Sequence, residues 1–325
     1  MSTRKALILR SPDMLARLHN RTMSLSGQRR ATLAVLLGAL SALALPPWYL
    51  VPLVMPAFVG LLWLLDAAAA RSRPLSAAAV TAWLFGVGHF FVGTHWIAEP
   101  FLVDTARHGW LVPFAVAGFA CGLALFPALA SLVTAILAYR FALVGVARAL
   151  VFAVVWVFLE WMRSWLFTGF PWNLIGYVWA STPAFMQFAA IAGIFGVSLI
   201  TVVAAAMPAS LAGPGREPGA QPWIAVAIFT ILLPAAVWAG GAMRLNDAPP
   251  YSPDGSEGMV PGVRLRIVQA NIPQHQKWQS ELQAGNLRRH IAMSRQTSSQ
   301  PPTHVIWPET AVPFFLSNDK SADSD

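Results

Sequence analysis

Apolar residues along this chain come in long blocks, at 31–45, 49–69, 77–98, 110–138, 142–161, 184–211 and 223–242, parted by short clusters of Arg, Pro and Gly. From the second onward, each block reaches or exceeds the roughly 20 residues a helix needs to cross about 30 Å of hydrocarbon. The first is shorter and stops at Pro46-Pro47. It is expected to be a retained helix and not a cleaved signal segment, because a long basic stretch precedes it and further spans follow at once. Seven membrane-spanning helices are therefore predicted. The stretch 165–180 is apolar as well, but Gly169, Pro171, Asn173 and Gly176 interrupt it. It is expected to be irregular or re-entrant at the membrane interface.

Beyond Met243 the periodicity changes. Residues 244–262 read as a linker of Pro, Gly, Asp and Ser. Positions 263–269 alternate apolar and polar, the period of a strand, and 304–307 form a second short strand. Between them, 280–298 places Leu282, Leu287, Ile291 and Met293 on or near one side of a helix. That order opens a soluble α/β domain. The predicted organisation is a basic segment (1–30), a membrane domain (31–243), a linker (244–262) and the incomplete start of an α/β domain (263–325).

Composition agrees with a membrane setting: 56% hydrophobic, 11% charged, mean hydropathy +0.57, where a soluble domain carries about 25% charged residues. The net charge of +8 does not mark a nucleic-acid partner, because the basic residues form no single patch. With the N-terminus cytoplasmic, the inner segments hold Arg4, Lys5, Arg10, Arg17, Arg21, Arg29, Arg30, Arg71, Arg73, Arg140, Arg148 and Arg216. The outer loops hold only Arg107 and Arg163. This asymmetry is a topology signal, and seven spans then put the C-terminal segment outside the cytoplasm. A single cysteine, Cys121, excludes an internal disulfide framework and a cysteine zinc cluster.

Few residues stand out as candidates for chemistry. Glu309 directly follows the second strand, held between Pro308 and Thr310, where a carboxylate serves either as a general base or as a plain loop residue. Glu160 and Arg163, three apart near the outer end of a span, are expected to pair on one helix face, with a substrate-facing role as the alternative. His89 and His95 are six apart, not the three or four a metal pair on one face prefers. Asp66 is expected to be an interfacial charge. Asn173 is expected to satisfy backbone groups in the broken segment, or else to meet a lipid headgroup. Cys121, between Gly118 and Gly122 in a G-x-x-x-G pair, reads as a packing residue.

Three stretches, in order, resemble the apolipoprotein N-acyltransferase family of bacterial inner membranes. They are Thr168-Gly169-Phe170-Pro171-Trp172-Asn173-Leu174-Ile175-Gly176-Tyr177, then Val268-Gln269-Ala270-Asn271-Ile272-Pro273-Gln274 with Lys277-Trp278, then Trp307-Pro308-Glu309-Thr310-Ala311-Val312-Pro313. The resemblance implies a polytopic bundle followed by a periplasmic nitrilase-like domain with a Glu-Lys-Cys triad. The thiolate takes an acyl chain from a phospholipid. The thioester is then attacked by the α-amino group of the diacylglyceryl-cysteine that begins an apolipoprotein. By the same resemblance Glu309 is the general base and Trp278 a substrate-binding residue on a loop near the entrance. The implied partners are the phospholipid donor, the apolipoprotein and the membrane, with no metal, cofactor or nucleic acid.

The sequence departs from the family pattern at its end. After Pro313 it runs through Phe314-Phe315-Leu316 into a polar tail, and the family's Lys, Cys and last span belong beyond that point. Lys320 lies too close to Glu309 to be the triad lysine, and Cys121 lies within a span. A chain with these residues alone is expected to be inactive. The alternative reading is a non-catalytic pseudoenzyme or lipid-binding scaffold; a transporter fits less well, because no matched pair of broken helices appears in two halves.

Overall fold

The computed structural model describes residues 10–214, 221–247 and 260–312. Arg4, Lys5, Arg216, most of the linker, and the tail with Pro313 and Lys320 lie outside them. The chain forms two compact units, Met1–Ala98 with Leu111–Ala248, and Glu99–Trp110 with Pro249–Asp325.

The larger unit is helical: α1 Arg10–Ser24, α2 Gly27–Ala42, α3 Val54–Ala69, α4 Pro74–Gly93, α5 Val112–Leu123, α6 Leu125–Phe141, α7 Gly145–Arg163, α8 Ala189–Ala206 and α9 Leu233–Asn246. Among the described residues, six stretches are long and apolar enough to cross a membrane: Val51–Ala69, Pro74–Gly93, Thr105–Phe141, Gly145–Arg163, Ala189–Leu211 and Pro222–Asn246. The first expected span is the exception. As α2 it has only 16 residues, about 24 Å at the helical rise. Segment 165–180 contains no long helix, only turns and a short 3-10 stretch, Ile175–Trp179.

Aromatic rings pin α3, α4 and α7 together. Phe58 meets Trp156 edge-on at 4.9 Å, Phe85 at 5.9 Å and Phe152 at 6.1 Å, the offset geometry that ring quadrupoles favour. Between α2 and α4 the backbones themselves touch. A β-carbon on Gly38 would collide with the Phe85 carbonyl, and one on Gly88 with the Val35 carbonyl. Small residues let membrane helices approach this closely where lipid offers no hydrophobic drive. The G-x-x-x-G pair predicted to pack is not this contact: β-carbons on Gly118 or Gly122 would meet nothing within 4 Å. Cys121 is half-buried, and its carbonyl accepts from Trp83 Nε1 at 3.0 Å.

Asp66, expected as an interfacial charge, is buried and paired. It is 2% exposed, accepts from Arg148 Nη1 of α7, and meets His19 Nε2 of α1 at 3.1 Å. A carboxylate in the bundle is tolerated only when paired, and α1 folds back to supply one of the partners. His19 also packs edge-on against Trp63 at 5.8 Å.

In the smaller unit, β1 Leu265–Ile267 and β2 His304–Ile306 pair in parallel, with Leu265 opposite His304 and Ile267 opposite Ile306. Helix α10, Ser280–Ser294, connects them, as a parallel pair requires. Arg266 on β1 donates to the carbonyls of Ser294 at 2.7 Å and Gln296 at 2.5 Å. The Ser294 carbonyl belongs to the last turn of the helix, where carbonyls have no intrahelical partner.

Candidate functional site

The two strand ends of the smaller unit lead into the second and third quoted stretches, and the fold brings these together. The Val268 amide donates to Ile306 at 2.9 Å, which extends the ladder by one step. Beyond it the chains part around a cleft of about 240 Å³ lined by Gln269, Asn271, Lys277, His290, Pro308 and Thr310, among others. Two of these residues have left-handed backbones: Asn271 at φ +47° and Thr310 at φ +58°. Asn adopts that conformation readily, but for a β-branched Thr it is strained. Such strain concentrates at functional sites. The Thr310 hydroxyl donates to the Glu309 carbonyl at 2.7 Å, and Lys277 Nζ lies 3.4 Å from the same oxygen. Glu309 is exposed, immediately beside the cleft wall. Trp278 follows the short helix Gln274–Lys277 and is 49% exposed.

His290 is a residue that sequence reasoning missed. It lies on α10, 2% exposed, and its Nδ1 is 2.8 Å from the Asn286 carbonyl. A carbonyl only accepts, so Nδ1 is the donor in this contact. The Trp307 ring is 5.3 Å away, and Trp307 Nε1 donates to Ser294 Oγ at 2.8 Å. The available signal was its position: His290 adjoins Ile291 on the buried side of α10.

The first quoted stretch is anchored inside the helical unit. Glu160 and Arg163 are both buried and act on each other electrostatically, but among the described residues they make no direct ion-pair contact. Each also grips the broken segment. Glu160 Oε1 accepts from the Ile175 amide at 3.0 Å and from Trp156 Nε1 at 3.2 Å. Arg163 Nη1 donates to the carbonyls of Phe170 at 2.9 Å and Trp172 at 2.6 Å, with its guanidinium 5.2 Å from the Phe90 ring centre. Irregular backbone inside a membrane domain must find such partners, and that need outweighs the three-residue spacing that suggested a pair. Asn173 does satisfy backbone, but of another helix: its Nδ2 donates to Gly93 at the end of α4, at 3.0 Å. His89 Nδ1 lies 2.8 Å from Ser41 Oγ. His95 Nδ1 lies 2.8 Å from the Val92 carbonyl. Among the described residues, no group of three His, Cys, Asp or Glu is placed to hold a metal.

The family model described as apolipoprotein N-acyltransferase N-terminal domain matches residues 37–207. The chain is 40% identical over 288 residues to the apolipoprotein N-acyltransferase of Caulobacter vibrioides, covering 88% of this chain and 50% of that protein. It is 36% identical over 306 residues to the protein of that name from Rhodopseudomonas palustris, covering 91% and 54%. Against that of Brucella melitensis it is 36% identical over 317 residues, covering 95% and 57%. The chain spans about half the length of these curated relatives.

Proposed function

This chain belongs to the apolipoprotein N-acyltransferase family, and on that footing we propose that it serves lipoprotein maturation in a bacterial inner membrane. The proposed reaction moves an acyl chain from a phospholipid to the α-amino group of a diacylglyceryl-cysteine. The observation that carries the reading is the cleft of the smaller unit, where residues 269–272 meet Pro308, Thr310 and Ala311, the neighbours of Glu309, around a strained Thr310.

Glu309 is the proposed general base. A thiol with an ordinary pKa near 8.5 is mostly protonated at neutral pH, so acyl transfer needs a nearby carboxylate to take the proton. An ammonium group would then stabilise the oxyanion of each tetrahedral intermediate. The thiol and that ammonium are assigned to the part of the relatives that this sequence does not span. Cys121, inside α5, is not a candidate. Trp278 is proposed to contact substrate, since a half-exposed indole next in sequence to the cleft residue Lys277 offers an apolar face to an acyl chain. The residues starting at Val263 are proposed as the opening of a nitrilase-like periplasmic domain, supported by the parallel β-α-β unit.

Mass spectrometry of lipoprotein N-terminal peptides tests the reaction. Depletion of the gene product is expected to leave a free α-amino group on the diacylglyceryl-cysteine. Fully N-acylated lipoproteins after depletion would favour the pseudoenzyme or scaffold reading.

Seven crossings are proposed, with the N-terminus cytoplasmic. The support for counting α2 is that its ends reach the same levels as α4. Leu25, just before α2, accepts from Arg71 in the loop that precedes α4, at 3.4 Å, and a β-carbon on Gly93 would sit 3.8 Å from Ala42. Paired reporters, one active only in the cytoplasm and one only in the periplasm, fused after Met243 are expected to signal periplasm. A cytoplasmic signal there would remove the seventh crossing.

A further inference from the structure

At the Arg-rich end of the helical unit lies a cavity of about 580 Å³, bounded by α3, α4, α6 and the start of α7. This is within the range of ligand pockets, 300–1,000 Å³. Its walls are aliphatic, with Leu62, Leu65, Ala78 and Ala135 among them. Its rim is on the outside of the bundle: Tyr139 is 91% exposed, and Ile136 and Leu75 are more than 40% exposed. The rim of a membrane-embedded bundle faces lipid, and a tyrosine at a helix end marks the headgroup level.

We propose that this cavity binds one acyl chain of an anionic glycerophospholipid, separately from the acyl-transfer site. A void of this size beside hydrocarbon forfeits dispersion contacts on every wall, and the molecule at hand to restore them is a lipid chain. The choice of headgroup follows from charge. Arg71 and Arg73 lie in the loop between α3 and α4, and Arg140 follows Tyr139; all three are exposed. Arg148 lines the cavity. Asp66, the one acid in the lining, is already bonded to Arg148 and His19. Two donors in the lining have no partner among the described residues, Arg148 Nε and the fully buried Ser131 hydroxyl. A glycerolipid brings acceptor oxygens, and its phosphate suits the arginines at the rim. That the rim faces the cytoplasmic leaflet rests on the topology proposed above; the cavity and its charge do not.

The test uses the intact protein in nanodiscs containing phosphatidylethanolamine and a phosphatidylglycerol with a photoactivatable acyl chain. After irradiation, adducts mapped by mass spectrometry are expected on peptides holding Leu75 and Ile136, about tenfold above those on lipid-facing Ile191, consistent with roughly 1.4 kcal/mol of preference. Ala135→Trp, which fills the cavity, is expected to bring this labelling down to the level at Ile191. The surface variant Arg73→Gln/Arg140→Gln, which touches no core, is expected to abolish competition favouring phosphatidylglycerol over phosphatidylethanolamine while leaving the fold intact. Labelling no higher than at Ile191, labelling unchanged by Ala135→Trp, or crosslinks to polypeptide in place of lipid would each overturn the proposal. An unchanged headgroup preference in the double variant would overturn the role given to charge.

Discussion

Gly88→Val is expected to destabilise the helical bundle strongly and to lower its unfolding midpoint. The added β-carbon would occupy the space of the Val35 carbonyl, and the helix backbones of α2 and α4 cannot separate without disturbing the Ser41–His89 contact at 2.8 Å. Overpacking a tight core costs about 1–3 kcal/mol even where side chains can yield. Here the obstacle is backbone, so the cost should meet or exceed the upper end of that range. Gly118→Val supplies the control, because nothing lies within 4 Å of a β-carbon there. Its effect should stay within about 0.5 kcal/mol. Thermal unfolding of the two detergent-solubilised variants, followed by intrinsic tryptophan fluorescence, separates them. Equal midpoints would mean that α2 and α4 are not in backbone contact.

Where the thiol and ammonium proposed above are supplied, Glu309→Gln is expected to cut acyl transfer by about 10²–10⁴-fold, the usual contribution of a general base. The exchange keeps the side-chain shape and removes only the ability to take a proton. It should also be structurally silent. Glu309 is exposed, and its described bonds, to Lys277 and Thr310, use the backbone carbonyl and not the carboxylate. N-acylation of lipoproteins in cells whose single gene copy carries the change, at unchanged protein level, is the measurement. Near-normal N-acylation would dismiss Glu309 as the base. Trp278→Ala, followed in membranes with the lipid donor varied, should raise the substrate concentration needed for half-maximal rate and leave the maximal rate largely intact, as expected for a binding contact.

The long helices and the broken segment were legible because each depends on local composition. A run of 20 apolar residues has few other fates, and Gly169, Pro171 and Gly176 cannot continue a helix in company. The strand before Gln269 showed through its alternation, and the one ending at Trp307 as a short apolar run. Partners were less legible. Glu160 and Arg163 have the spacing of an ion pair, but the carbonyls and amides of 170–175 compete for them, and a backbone group without water is a more demanding neighbour than a charge. The position of Asp66 near the end of α3 was visible but its pairing was not; its partners stand 47 residues before and 82 residues after it. Helix α1 went unnoticed among its arginines, although Met14, Leu15 and Leu18 recur at helical spacing. His290 was hidden for the same reason as Asp66: a polar residue on an apolar stripe declares its burial only when the opposite wall is known.

The Asp66 cluster also imposes an order on biogenesis. The ribosome releases His19 first, then Asp66, and Arg148 only 82 residues later. At about 5–20 residues per second, that interval lasts on the order of ten seconds. During it the Asp66 carboxylate near the end of α3 is made but its guanidinium partner is not. The imidazole of His19 is the partner already made, so α1 can escort α3 through insertion until α7 arrives. The basic N-terminal helix would then be a built-in placeholder whose loss is felt in how much protein reaches the membrane, before any effect on the finished molecule.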